Sequence, residues 1–156
     1  MIFSGYLKLY MGKEIEHKYL VISKDYRFLA DRSISISQGY LSRVPDRVVR
    51  IRIIENKGYI TIKGRNAGDT RLEFEYEIPL ADAERLLSLC EGVVIKKKRW
   101  IVTFQGYKWE VDEYLSPVFP TIAEIELSHS HHDYPLPSFI GEEVTGNEKY
   151  YNSNIG

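Results

Sequence analysis

Cysteine is nearly missing from this chain: Cys90 is the only one in 156 residues. A single thiol excludes an internal disulfide framework and fits a reducing compartment, so a cytoplasmic location is expected. An excess of one charge sign is lacking too, because 21 Lys and Arg stand against 22 Asp and Glu. That balance offers no electrostatic footprint for nucleic acid or a membrane surface. Long hydrophobic runs are absent. The opening MIFSGYLKLY is mildly apolar, but it carries Lys8 and is too short for a membrane span or a secretory signal. No repeat, low-complexity tract or linker divides the chain, and no GxxxxGK[ST] loop occurs, which excludes a P-loop enzyme. The expectation is an N-terminal extension over residues 1–11 and one domain over 12–156.

What is present is two-residue periodicity, interrupted by turn residues at short intervals. Strands are expected at 14–22, 33–41, 47–55, 59–63, 70–78, 97–105, 108–114 and 121–128, with hairpin turns near Asn56–Gly58, Gly64–Gly68 and Gln105–Gly106. Eight strands suffice for a closed barrel. PLADAERLLSLCE, residues 79–91, has helical spacing and a first-turn proline, and predicts one helix. The fold class is therefore α+β, mainly antiparallel β: an eight-stranded closed barrel with a few covering helices.

The alternation separates charge from apolar surface on almost every strand. Glu14, Glu16 and Lys18 share one side of the first strand, Arg50 and Arg52 one side of VVRIRII, and Glu73, Glu75 and Glu77 one side of LEFEYEI. Lys97 with Arg99, Glu110 with Asp112, and Glu124 with Glu126 repeat the pattern, and Lys63 joins it. An open antiparallel sheet with a solvated charged face is the plain alternative. Like charges two residues apart repel, however, and suggest an ion or ligand between them. With the charged face inward, the barrel becomes a polar tunnel. Arginines and lysines from several strands suit a polyphosphate, and paired carboxylates suit a hard divalent cation such as Mg2+ or Mn2+. That combination reads as a metal-dependent phosphoryl site.

The run Glu14-Ile15-Glu16-His17-Lys18 resembles the ExExK signature of the CYTH superfamily, the triphosphate tunnel metalloenzymes. The likeness continues in order through SQGYL (37–41), RIR (50–52), TIK (61–63), EYE (75–77), KKR (97–99), EVDEY (110–114) and AEIEL (123–127). The ending IGEEVTGNEKYYNSNI, 140–155, is similar to the GxEVT…YxN tail of small bacterial members. The resemblance implies metal-dependent hydrolysis or cyclisation of a triphosphate inside a tunnel. It implies metal ligands at Glu14, Glu16, Glu124 and Glu126, with Asp112 beside them, and phosphate contacts from Lys18, Arg50, Arg52, Lys63, Lys97 and Arg99. Glu75, Glu77, Lys97 and Asp112 are the candidate catalytic groups. Glu73 departs from the pattern of small bacterial relatives, and Arg71 is a candidate to replace the missing base.

The expected partner is a small-molecule triphosphate, with no nucleic acid or membrane and a monomer or homodimer as the assembly. Inorganic triphosphate leads as substrate. Adenylate cyclase, thiamine triphosphatase and nucleoside triphosphatase activities stay open, as does a non-catalytic polyphosphate-binding module. His129, His131 and His132 match no metal spacing and read as a solvated loop. Cys90 reads as a thiol packed on the helix, and Lys96 to Arg99 as a run that strand alternation splits between two faces.

Overall fold

The computed structural model describes residues 14–128 and 133–155. The extension over 1–11, the three histidines of the 128–134 loop and the Glu14 side chain lie outside the described residues. The elements are β1 (Glu14–Val21), a four-residue helix α1 (Tyr26–Leu29), β2 (Ala30–Ser42), β3 (Val48–Ile54) and β4 (Lys57–Lys63). They continue with β5 (Thr70–Arg71), β6 (Glu73–Ile78), α2 (Leu80–Leu87), β7 (Glu91–Phe104), β8 (Tyr107–Ser116), β9 (Ile122–Glu126) and β10 (Ile140–Glu143). Two 3-10 turns, Glu148–Tyr150 and Asn152–Asn154, end the chain.

The strands form one antiparallel sheet in the order β10-β1-β9-β8-β7-β2-β3-β4-β6, and β5 returns from the β6 end to pair with β1. That return nearly closes a barrel. All eight expected strands exist. The 70–78 segment is broken at Leu72 into β5, which crosses to β1, and β6, which stays with β4. At the β7–β8 hairpin Phe104 faces Tyr107, leaving Gln105 and Gly106 as a two-residue turn with φ of 48° and 83°. Positive φ at both positions is what a tight hairpin needs to match strand twist.

On the outer side of the barrel wall, Tyr19, Trp109, Val111, Ala123 and Ile125 pack with Val102, Tyr26 of α1 and Phe139 of the stretch before β10. Helix α2 covers another part of the wall, which it can approach because the strands beneath carry glycine. A Cβ on Gly58 would lie 2.5 Å from the Ala83 Cβ, and one on Gly39 would lie 2.9 Å from Cys90. Cys90 lies three residues past the end of α2 rather than on it, packed against Gly39 of the sheet and donating from Sγ to the Leu86 carbonyl at 3.4 Å. Burial raises its pKa.

The helix is shorter than the expected 79–91. It ends at Leu87 because the Ser88 hydroxyl folds back to the Arg85 carbonyl at 2.5 Å, and the next residues close as turns. β7 begins at Glu91, six residues before the expected Lys97, because Val93-Val94-Ile95 has no apolar–polar alternation to announce a strand. The outward parity of Phe74, Tyr76, Trp100 and Phe104 predicts that these aromatics pack beneath the covering elements, yet Tyr76 is 45 % exposed. Helix α2 sits over Gly58, which pairs Ile78 at the far end of β6, and leaves Tyr76 uncovered. Among the described residues no helix is long and apolar enough to cross a membrane.

Candidate active site

The strand register puts the charged residues on one inner face. Glu16 faces Glu126 and Lys18 faces Glu124 across β1–β9, and Glu124 faces Glu110 across β9–β8. Asp112 then faces Arg99, and Arg52 faces Gln38 and Tyr59. A cavity of about 700 Å³, measured with its open mouth, lies inside this wall. Six cationic side chains line it: Lys18, Arg50, Lys63, Arg71, Lys97 and Arg99. Three carboxylate residues, Glu16, Asp69 and Glu124, line it with them.

A second layer holds the cations in place. Asp112 is 2 % exposed and sits between two of them. Its Oδ2 is 2.7 Å from Lys97 Nζ and its Oδ1 accepts from Arg99 Nε at 2.7 Å. Burial pushes the Lys97 ammonium down to about 8, against the pull of Asp112. Burial disfavours the Asp112 carboxylate as well, but Arg99 and Lys97 outweigh it and hold its pKa far below the ordinary value. Glu75 performs the same service on the other side of the barrel. Its Oε2 accepts from Arg52 Nη2 at 3.0 Å and from the Thr61 hydroxyl at 2.8 Å, with Arg50 Nη2 at 3.5 Å. Burial, with Arg50 alongside, lowers Arg52 to about 10. The Nε atoms of Arg50 and Arg52 are buried with no hydrogen-bond acceptor among the described residues.

The paired carboxylates come together at one point. Glu124 hydrogen-bonds with Glu16 and lies 3.6 Å from Lys18 Nζ. Burial works against its charge, while Lys18 and that hydrogen bond hold its pKa down at about 2. Among the described residues no three His, Cys, Asp or Glu side chains close a complete metal site. Two carboxylates are nevertheless the usual protein share of a Mg2+ site whose remaining ligands are water and substrate phosphate. The donor set at Glu16 and Glu124 fits such an ion.

Of the expected site residues, Glu16, Lys18, Arg50, Lys63, Lys97, Arg99 and Glu124 line the cavity. Arg52, Glu75 and Asp112 stand behind it, and Glu77 and Glu126 are exposed where the inner face runs out. Register therefore puts these residues on one face, while only part of that face lines the cavity. Arg71 does line it, while Glu73, 1 % exposed, pairs with Lys63 across β4–β6.

The remaining wall was not assigned from sequence. Asn66 and Gly68 come from the β4–β5 loop, and Thr145, Gly146, Tyr151, Asn152 and Ser153 from the tail. Asn152 accepts from the Tyr114 hydroxyl at 2.7 Å, and Arg43 anchors the tail by donating to the Ser153 carbonyl at 2.6 Å. Ile155 plugs between Tyr40, Val48 and Ile95. The GEEVT and YYN of the tail were its visible signals.

Fold and cavity together define a nearly closed β-barrel that gathers cations and a carboxylate pair around an anion-sized space. The CYTH domain family model matches residues 12–155, and the chain belongs to that family. It is 46% identical to an inorganic triphosphatase of Acetivibrio thermocellus over 147 residues, 93% of this chain and 94% of that one. A second inorganic triphosphatase, from Nitrosomonas europaea, is 29% identical over 91% of this chain and 95% of its own. A crystal structure of an inorganic triphosphatase superposes with a TM-score of 0.60 at 28% identity, covering 90% of this chain and 94% of that one.

Proposed function

We propose that the protein hydrolyses inorganic triphosphate to pyrophosphate and phosphate with a divalent cation, Mg2+ or Mn2+, in the barrel cavity. The observation that carries this is the ring of Lys18, Arg50, Lys63, Arg71, Lys97 and Arg99 around a space with Glu16 and Glu124 at one side. The names of the relatives at 46% and 29% identity point the same way.

Catalysis of phosphoryl transfer is largely positioning and charge stabilisation. Arg50, Arg52, Lys97 and Arg99 are held before substrate arrives, by Glu75 on one side and Asp112 on the other. Their geometry therefore costs little reorganisation when charge moves between phosphates. A phosphate oxygen would also satisfy the buried Nε donor of Arg50, which lines the cavity. Glu16 and Glu124, with Glu126 across from Glu16 and Glu14 two residues before it, are the residues that would hold the cation. Bound there, the cation supplies neutralisation of phosphate oxygens and a water of lowered pKa. Asp112 and Glu75 are read as groups that position cations, and Glu77 as a group at the rim. Among the described residues, the cavity lining contains Tyr40 and Tyr151 and no Trp or Phe. A purine or thiazolium ring would want a fuller aromatic slot, which favours the unsubstituted triphosphate over ATP or thiamine triphosphate.

The test is a side-by-side comparison of inorganic triphosphate, ATP and thiamine triphosphate with Mg2+ or Mn2+, measuring phosphate, pyrophosphate and cyclic AMP. Higher kcat/KM for inorganic triphosphate and no cyclic product are expected. Faster turnover of ATP, or cyclic AMP from it, would overturn the substrate assignment.

A further inference from the structure

Among the described residues, β5 pairs with β1 at Glu14–Arg71 and Ile15–Thr70, and the Glu16 amide donates to the Asp69 carbonyl at 3.1 Å. One residue along β1, on the outer side of the wall, a side-chain network covers this seam. His17 Nε2 is 3.0 Å from Asp69 Oδ2, and His17 Nδ1 is 2.6 Å from the Tyr134 hydroxyl. The Tyr134 hydroxyl is in turn 2.6 Å from that of Tyr19. An ionised Asp69 only accepts, so His17 Nε2 donates to it, while Nδ1 faces the Tyr134 hydroxyl and lies 3.8 Å from Glu143 Oε2. The Asp69 carboxylate also accepts from the Thr70 hydroxyl at 3.0 Å.

Asp69 belongs to a hairpin tied together by its own hydrogen bonds. The Gly64 amide donates to Leu72, Ala67 and Thr70 exchange backbone bonds, and the Arg71 guanidinium donates twice to the Gly64 carbonyl. Whatever fixes Asp69 therefore fixes Lys63, Asn66 and Arg71, all of which line the cavity. Facing them from β1 are Glu16 and Lys18, the neighbours of His17 on the inner side of the same strand.

We propose that His17 is a positioning residue for substrate binding: through Asp69 it clasps the hairpin carrying Lys63 and Arg71 to the strand carrying Glu16 and Lys18. The proposal rests on reading the cavity as a triphosphate site. His17 touches no phosphate itself. Losing it leaves the barrel wall intact and lets the two halves of the cation ring separate at the seam.

The test measures binding of inorganic triphosphate by titration calorimetry, together with kcat, KM and Tm, on the full chain. His17→Leu removes both ring nitrogens, and loss of the charge-assisted bond is expected to raise Kd and KM about tenfold while kcat changes less. His17→Gln, with an amide donor for Asp69 and a carbonyl acceptor for Tyr134, is expected to recover most of the affinity. Tyr134→Phe should give a smaller rise of the same sign, and it decides the matter if His17→Leu does not fold. Unchanged Kd and KM in the folded variants, or a fall in kcat and Tm with Kd kept, would overturn the clasp. A wild-type protein that binds triphosphate without cleaving it would sink the hydrolase reading and still leave this binding series decisive. Failure of the wild type to bind triphosphate at all would overturn both.

Discussion

Asp112 illustrates how one buried carboxylate sets the charge of its neighbours. It lies within 2.7 Å of Lys97 Nζ and Arg99 Nε, and it opposes the burial that already lowers Lys97 to about 8. Replacing it with the neutral amide in Asp112→Asn removes that opposition, so the Lys97 pKa falls further and the ammonium is lost at a lower pH. The expected outcome is weaker triphosphate binding, by about tenfold or more, with a penalty larger near pH 8 than near pH 6.5. Calorimetry at the two pH values checks it, and a pH-independent penalty would refute the coupling to Lys97. The inner-face parity of these residues was legible from strand alternation, which puts Lys97 with Arg99 and Glu110 with Asp112 on one face even though Lys98 and Glu113 add charge to the other. Their division of labour was not. Nothing in the sequence distinguishes Glu124, which reaches the cavity, from Asp112, which is enclosed by two cations behind it, because depth within a barrel depends on cross-strand neighbours.

At the scale of elements, helix α2 is seated by absent side chains rather than by interlocking ones. The Gly58 position admits the helix only because no Cβ stands 2.5 Å from Ala83 and 3.2 Å from the Ile78 carbonyl. Gly58→Ala is therefore expected to destabilise the protein by about 1–3 kcal/mol through overpacking. The helix lies outside the barrel, so KM for triphosphate in the folded fraction should stay near wild type. Thermal unfolding with parallel kinetics reads both, and an unchanged Tm would mean the helix shifts freely. Elements with a strong period, such as β3 and β8, were visible in advance. β10 and the 3-10 turns of the tail were not, since IGEEV alternates over too few residues and YYNSN carries no period at all. Their place comes from long-range bonds such as the Val144 amide to the Lys18 carbonyl and Arg43 to the tail.

For the whole molecule, enclosing so many charges ties stability to pH in a definite direction. Glu124 has an ordinary carboxyl value of 4.5 that falls to about 2 in the folded protein, and Asp112 is held well below its ordinary 3.8. Both pKa values are depressed, so both groups contribute stability above their unfolded values and lose that contribution as pH falls. The metal-free protein is expected to lose stability progressively from about pH 4.5 toward pH 2. Lys97 acts with a slope of the same sign at the other end of the pH range. Its folded value of about 8 lies below the ordinary 10.5, so between them the unfolded chain binds more protons and this group's contribution rises with pH. Denaturant midpoints measured across both windows check the two slopes. Glu124→Gln should flatten the acid limb and Lys97→Met the alkaline one. An acid limb as steep in Glu124→Gln as in the wild type would show that the Lys18–Glu124 pair does not govern acid unfolding, and would shift that role to the Asp112 cluster.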